Sequence, residues 1–111
     1  MQEETKPKSM LVVTTYRVHP DDAEAFKAIN ERMAADARRR PGNNFLLVAQ
    51  DIANPGVFHL TEGWTDQASI EEHIAGDDFQ TVLSEAQKLR IEDRVATVYS
   101  AVREYELGMP A

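Results

Sequence analysis

Three histidines, at positions 19, 59 and 73, are the side chains here that titrate near neutral pH, and one of them has neighbours suited to proton transfer. His73 shares a helical face with Ile70 and Ile74, which should turn its imidazole inward, to act as a base or as a hydrogen-bond partner. An inward histidine can equally be a plain structural partner. Nine residues upstream, Trp64 offers a large apolar wall with one N–H donor, fit either to steady a bound ring or to fill a core. Glu62 falls on the same side of a strand as Trp64, where a carboxylate among apolar neighbours needs a partner or a raised pKa. It would take up a second proton, or pair with an arginine. His59 alternates to the opposite side of that strand, and His19 reads as a solvent-facing loop residue. Tyr16, Tyr99 and Tyr105 are phenols on predicted strands. Asn43 and Asn44 follow a Pro-Gly stop as turn formers with amides that a ligand could use. The histidines have no short ligand spacing and cysteine is absent, so no metal site, disulfide or thiol nucleophile is expected. Neither a glycine-rich phosphate loop nor a nucleophile elbow occurs.

The elements that must position these groups follow from periodicity. Met10 to Val18 is β-branched and aromatic, a strand, and His19-Pro20-Asp21-Asp22 then opens a helix whose apolar stripe is Phe26, Ile29, Met33 and Ala37. Lys27, Asn30, Glu31, Asp36 and Arg38 fall mostly on its other faces. Arg38, Arg39 and Arg40 suit the negative end of that helix, and Pro41-Gly42 stops it. A second strand, Asn44 to Ile52, turns through Asn54-Pro55-Gly56 into a third, Val57 to Trp64, with Phe58, Leu60, Glu62 and Trp64 on one side. A short helix from Gln67 to Ala75 takes Thr65 or Asp66 as its cap and Gly76 as its stop. A further helix, capped by Asp77 or Asp78, carries Phe79, Val82, Leu83, Ala86 and Leu89, and a last strand runs from Arg94 to Leu107. Residues 1–8 read as a disordered tail, 9–107 as a single domain and 108–111 as a free end.

This order, strand, helix, strand, strand, helix, helix, strand, predicts an α+β, ferredoxin-like split βαβ fold with a four-stranded antiparallel sheet. Helices cover one sheet face, so the other needs a cover, and a second copy of the chain is the simplest one. The 111 residues allow one thin core. With 19 acidic against 12 basic residues the net charge is −7, which disfavours nucleic acid and anionic membrane surfaces as partners. No apolar run approaches the roughly 18 residues of a membrane span. The missing cysteines suit a cytoplasmic protein.

The stretch from Phe58 through Glu62-Gly63-Trp64-Thr65-Asp66 to His73 and Asp78-Phe79 resembles the antibiotic biosynthesis monooxygenase family, in which a Glu-x-Trp strand end is followed nine residues later by a His and then by an aromatic. Pro20, Ala25-Phe26, Pro41-Gly42-Asn43, Asp51 and Asn54-Pro55 extend the likeness over about Met10 to Leu107. The resemblance implies a dimeric α+β barrel, a homodimer with a cavity between each sheet and its helices. It also implies oxidation of a quinol-like or polycyclic aromatic molecule by molecular oxygen without a bound cofactor. His73, Trp64 and Glu62 would then be the catalytic group, and Tyr16, Asn44, Ile70, Phe79 and Leu83 the substrate contacts.

Haem-degrading members have an Asn on strand one, a Trp on the short helix and a His on the next; here Thr15 or Tyr16, His73 and Leu83 stand there. Aromatic-polyketide oxygenases pair the strand-three Trp with an Asn four residues earlier and a Tyr six later, where this chain has Leu60 and Ile70. The match is closer to quinol-monooxygenase-like members. Other chemistry that this fold supports is proton transfer without oxygen, as in an isomerase, or small-molecule binding without turnover.

Overall fold

The structure, a computed structural model, describes residues 8–110. Its elements are β1 (Lys8–Val18), a 3-10 turn (Pro20–Asp22), α1 (Ala23–Arg39), β2 (Asn43–Gln50), β3 (Val57–Trp64), α2 (Gln67–Ala75), α3 (Asp77–Ala86) and β4 (Ile91–Val102). The strands form one sheet in the order β2-β3-β1-β4, every neighbouring pair antiparallel, with the helices on one face. This is the α+β, ferredoxin-like arrangement expected from the element order. Among the described residues no helix is long and apolar enough to cross a membrane.

Alternation decides which side chains meet the helices. Phe58, Leu60 and Trp64 of β3 are buried together with Leu46 of β2 and the α1 stripe Phe26, Ile29, Met33 and Ala37. Each large side chain placed there contributes about 1.5–3 kcal/mol of apolar burial. Phe26 is the hinge of this core, its ring 4.9 Å from Tyr16 and 5.1 Å from Phe58. The opposite face is bare: Val13, Leu47, Val95 and Tyr99 are all at least 38% exposed. Phe45 lies on that face over Gly63, and any side chain at Gly63 would strike its ring.

Several boundaries differ from the sequence reading, each for a tertiary reason. Lys8, expected in the tail, pairs with Val102, so β1 starts there; residues 1–7 lie outside the described part. β4 runs Ile91–Val102 rather than Arg94 to Leu107, because its ladder is set by β1: Ile91 faces Val18 and the last pair is Lys8 with Val102. Strand β2 begins at Asn43 and ends at Gln50, because the Asp51 carboxylate accepts hydrogen bonds from the backbone N–H groups of Ala53 and Asn54 and so builds the turn itself. His19 is a cap and not merely a loop residue: its Nδ1 accepts from the Asp21 N–H at 3.1 Å. The cap position of α3 is Gly76, while Asp77 and Asp78 occupy its first turn, where they complement the helix dipole. Asn30 and Asp36, expected off the core face of α1, are buried, because α3 packs against α1 beside its apolar stripe.

Candidate active site

Helix α2 is fixed at both ends, and that fixes His73. The Asp66 carboxylate accepts from the Ser69 N–H and hydroxyl, both at 2.8 Å, and Gly76 ends the helix. At its start the helix lies so close to the β2 approach that a side chain on Gly42 would collide with Ser69. This close approach lets the Thr65 N–H donate to the Gly42 carbonyl at 2.8 Å. The result turns His73 inward, 3% exposed, with Ile70 packed on the core, whereas Ile74, expected on the same face, is 46% exposed.

Trp64 is fully buried, and its indole stacks on the His73 ring at 4.9 Å and 28°. The imidazole also meets Phe79 edge-on, at 4.9 Å. Below the stack, the Trp64 Nε1–H donates to Glu62 Oε1 at 3.1 Å. Burial raises the Glu62 pKa and the indole hydrogen bond partly offsets it. On its polar edge His73 Nδ1 lies 3.8 Å from Asp36 Oδ2, which is itself 3.4 Å from Arg40 Nε. None of these three buried atoms has a well-aligned hydrogen bond. Burial, then the positive charge of Arg40, pushes the His73 pKa down to about 4, against the pull of Asp36. The imidazole is therefore neutral at pH 7, a hydrogen-bonding group and a weak base.

A cavity of about 280 Å³ opens between α1, α3 and the β1/β4 edge of the sheet. Small-molecule pockets begin at about 300 Å³, so it is of a size for a compact ring system. Phe26, Ile29 and Met33 form its α1 wall, and Phe79, Val82 and Leu83 its α3 wall. Tyr16, Asn30, Gln87 and Arg94 are its polar members. The Asn30 amide is already engaged, donating to the Phe26 carbonyl at 2.8 Å. Burial raises the Tyr16 pKa; the Arg94 charge lowers it and Glu62 raises it further.

Of the residues singled out from the sequence, Tyr16, Phe79 and Leu83 line this cavity. His73 reaches it through Phe79, and Trp64, Glu62 and Ile70 stand behind that wall. Asn44 is exposed on β2, across the sheet from the cavity, because a register irregularity at Asn43/Phe45 lifts it out of the ladder; the amide of neighbouring Asn43 ties down the Phe45 and Gly63 carbonyls instead. His59 sits on the bare face, bonded to Thr15 and Asp51. Arg94, Asn30, Gln87 and Asp36 were not legible as site residues. Only Arg94 carried a signal, since it alternates with Ala96 and Val98 onto one side of its strand. Among the described residues no three His, Asp or Glu side chains gather as a metal-binding group.

A family model described as antibiotic biosynthesis monooxygenase matches residues 9–84. No curated protein matches the chain. Among solved structures, a protein of Deinococcus radiodurans provisionally described as an antibiotic biosynthesis monooxygenase superposes with a TM-score of 0.82 at 21% identity, covering 90% of this chain and 99% of its own. One from Nitrosomonas europaea with the same provisional description gives 0.80 at 21%, covering 85% and 99%. A conserved protein of Methanosarcina mazei gives 0.77 at 20%, covering 84% and 92%. At these identities the superpositions speak for the fold alone.

Proposed function

The chain belongs to the antibiotic biosynthesis monooxygenase family, and from that membership we propose that it is a cofactor-independent monooxygenase of quinol-like or polycyclic aromatic substrates, closest to the quinol-monooxygenase-like members. One observation carries the reading: the ring-sized, mostly apolar cavity between helices and sheet, with a phenol and a guanidinium at one edge. An electron-rich quinol that gives up its hydroxyl proton can pass electrons to oxygen directly. The apolar walls exclude water while it does so. One oxygen atom then bonds to a ring carbon and the other leaves as water, all four electrons coming from the substrate. In this reading Trp64 and Phe79 shape the pocket. His73 steadies them as a neutral ring in contact with both, and Glu62, whose pKa is raised, is the proton acceptor behind that wall.

The functional unit in this reading is a homodimer, two copies meeting through the bare sheet face that carries Val13, Leu47, Val95 and Tyr99. The test is oxygen uptake with a panel of hydroquinones, expected at one O₂ per quinol and slowed in His73→Ala. Equal rates for wild type and His73→Ala sink the role of His73, and turnover without oxygen replaces oxidation by an isomerase reaction. The packing of His73 between two aromatic rings favours one second reading, a binding protein without turnover. Ring binding with no oxygen consumption under any substrate would establish it.

A further inference from the structure

Tyr16 and Arg94 are direct cross-strand partners in the β1/β4 ladder, and both side chains line the cavity. Antiparallel partners stand about 4.5–5.5 Å apart at their Cα atoms, so a phenol and a guanidinium are presented side by side in a mostly apolar space whose other polar members are the Asn30 and Gln87 amides. Within the described residues neither the Tyr16 hydroxyl nor the Arg94 guanidinium has a hydrogen bond or an ion pair; only the Arg94 backbone N–H is engaged, with Asp93. Most other arginines are held, Arg90 by Asp22, Arg32 by Glu85, Arg40 by Asp36 and Arg38 by the Leu46 carbonyl, and Arg17, which has no such partner either, alternates to the opposite sheet face from the cavity. An exposed guanidinium that no protein group occupies, lining a ring-sized cavity, is free to meet an oxyanion with its five donors.

We propose that the cavity takes its ligand as a ring-borne oxyanion, an aromatic phenolate or carboxylate, with Arg94 as counter-ion and the Tyr16 hydroxyl as the neighbouring donor. This rests on the reading of the cavity as an aromatic substrate site, and names the charge state that it selects. Phe26 and Phe79 supply faces and edges for the ring, and Val82 the apolar wall between them. Burial keeps the Tyr16 phenol protonated, hence a donor, at neutral pH. The selection is a contact effect of one residue, because the net charge of −7 opposes anions at long range and is screened beyond about 8–10 Å at physiological salt. It also serves oxidation, since a quinol held as its anion gives electrons more readily than the neutral form.

The experiment is calorimetric titration, without oxygen, of three naphthalene probes: 2-naphthoate, the acidic phenol 4-nitro-1-naphthol in its ionised form, and neutral 2-naphthamide. At least one of the two anions should bind about tenfold more tightly than the amide, the scale of one charge-assisted hydrogen bond. The stronger one identifies carboxylate or phenolate as the group recognised. Arg94→Met should bring the affinities of the anions and of 2-naphthamide to within about twofold of one another, Arg94→Lys should restore part of the preference, and Tyr16→Phe should weaken it several-fold. Binding of all three with equal affinity, or a preference that survives Arg94→Met, overturns the inference and leaves the proposed function standing. Selective anion binding in a protein that consumes no oxygen with any quinol sustains the inference and overturns the function instead. Failure of every probe to bind overturns the inference as well.

Discussion

The indole of Trp64 lies on the imidazole of His73, ring centres 4.9 Å apart and 28° from parallel, and that imidazole also meets Phe79, a wall of the cavity, edge to face. The two residues that stand out in the sequence thus form a buried stack one ring removed from the space a ligand would fill. Their influence on chemistry runs through Phe79 and through the Trp64 to Glu62 hydrogen bond.

The buried His73 makes stability depend on acid. Its folded pKa of about 4 lies below the unfolded value of 6.5, so above 6.5 the imidazole is neutral in both states and stability is at its full value. As pH falls from 6.5 toward 4 the unfolded chain binds a proton that the folded chain refuses, and stability declines by on the order of 3 kcal/mol. Glu62 works in the opposite sense: its raised folded pKa adds stability below the unfolded value of 4.5, which is lost as pH rises through the folded value. Urea unfolding between about pH 7 and pH 4 should show the fall, and His73→Gln should remove most of it. A pH dependence that is the same in wild type and His73→Gln contradicts the burial of His73.

Removing the indole donor isolates a carboxylate. Trp64→Phe keeps most of the apolar volume but leaves the half-buried Glu62 without its 3.1 Å partner, a loss of about 1 kcal/mol beyond the packing change. The Glu62 pKa should rise further, because only burial then acts on it. Glu62→Gln retains an acceptor for the indole, so Trp64→Phe should cost less in that background. Carboxyl carbon shifts in an NMR titration follow the pKa, and a Glu62 resonance that titrates identically in both proteins would refute the coupling.

The cavity can be closed from a tolerant position. Leu83 lines it from α3 and is 36% exposed, so Leu83→Trp can direct the larger ring into the space with a stability change within about 0.5 kcal/mol. Ring binding and quinol-dependent oxygen uptake should both fall by about tenfold or more while the thermal midpoint holds. Unchanged uptake would place the reaction elsewhere on the molecule.

The bare sheet face should hold two copies together. Leu47 and Val95 are 58% and 59% exposed on it, and placing a carboxylate at either would desolvate a charge within the contact, a penalty of several kcal/mol for each. Sedimentation equilibrium should find a dimer for the wild type and a monomer for Leu47→Glu or Val95→Glu. A wild-type monomer at micromolar concentration would leave that face without its proposed partner.

Much of this arrangement is local and could be read from the chain itself. The limits of β3 and α2, the inward side of β3, the α1 stripe and the burial of Trp64 and His73 all follow from periods of 2 and 3.6 residues and from Asp66 and Gly76 at the helix ends. Trp64 and His73 meet because a strand end, a short turn and two helical turns leave them little freedom. What the fold alone decided involves partners far apart in sequence. The pairing of Tyr16 with Arg94 depends on the β1/β4 register, as do the ends of β4. The burial of Asp36 depends on where α3 crosses α1, and the distance of His73 from the cavity depends on Phe79 standing between them. Backbone geometry gives each segment its faces, whereas register and helix placement are set only when the whole core packs at once.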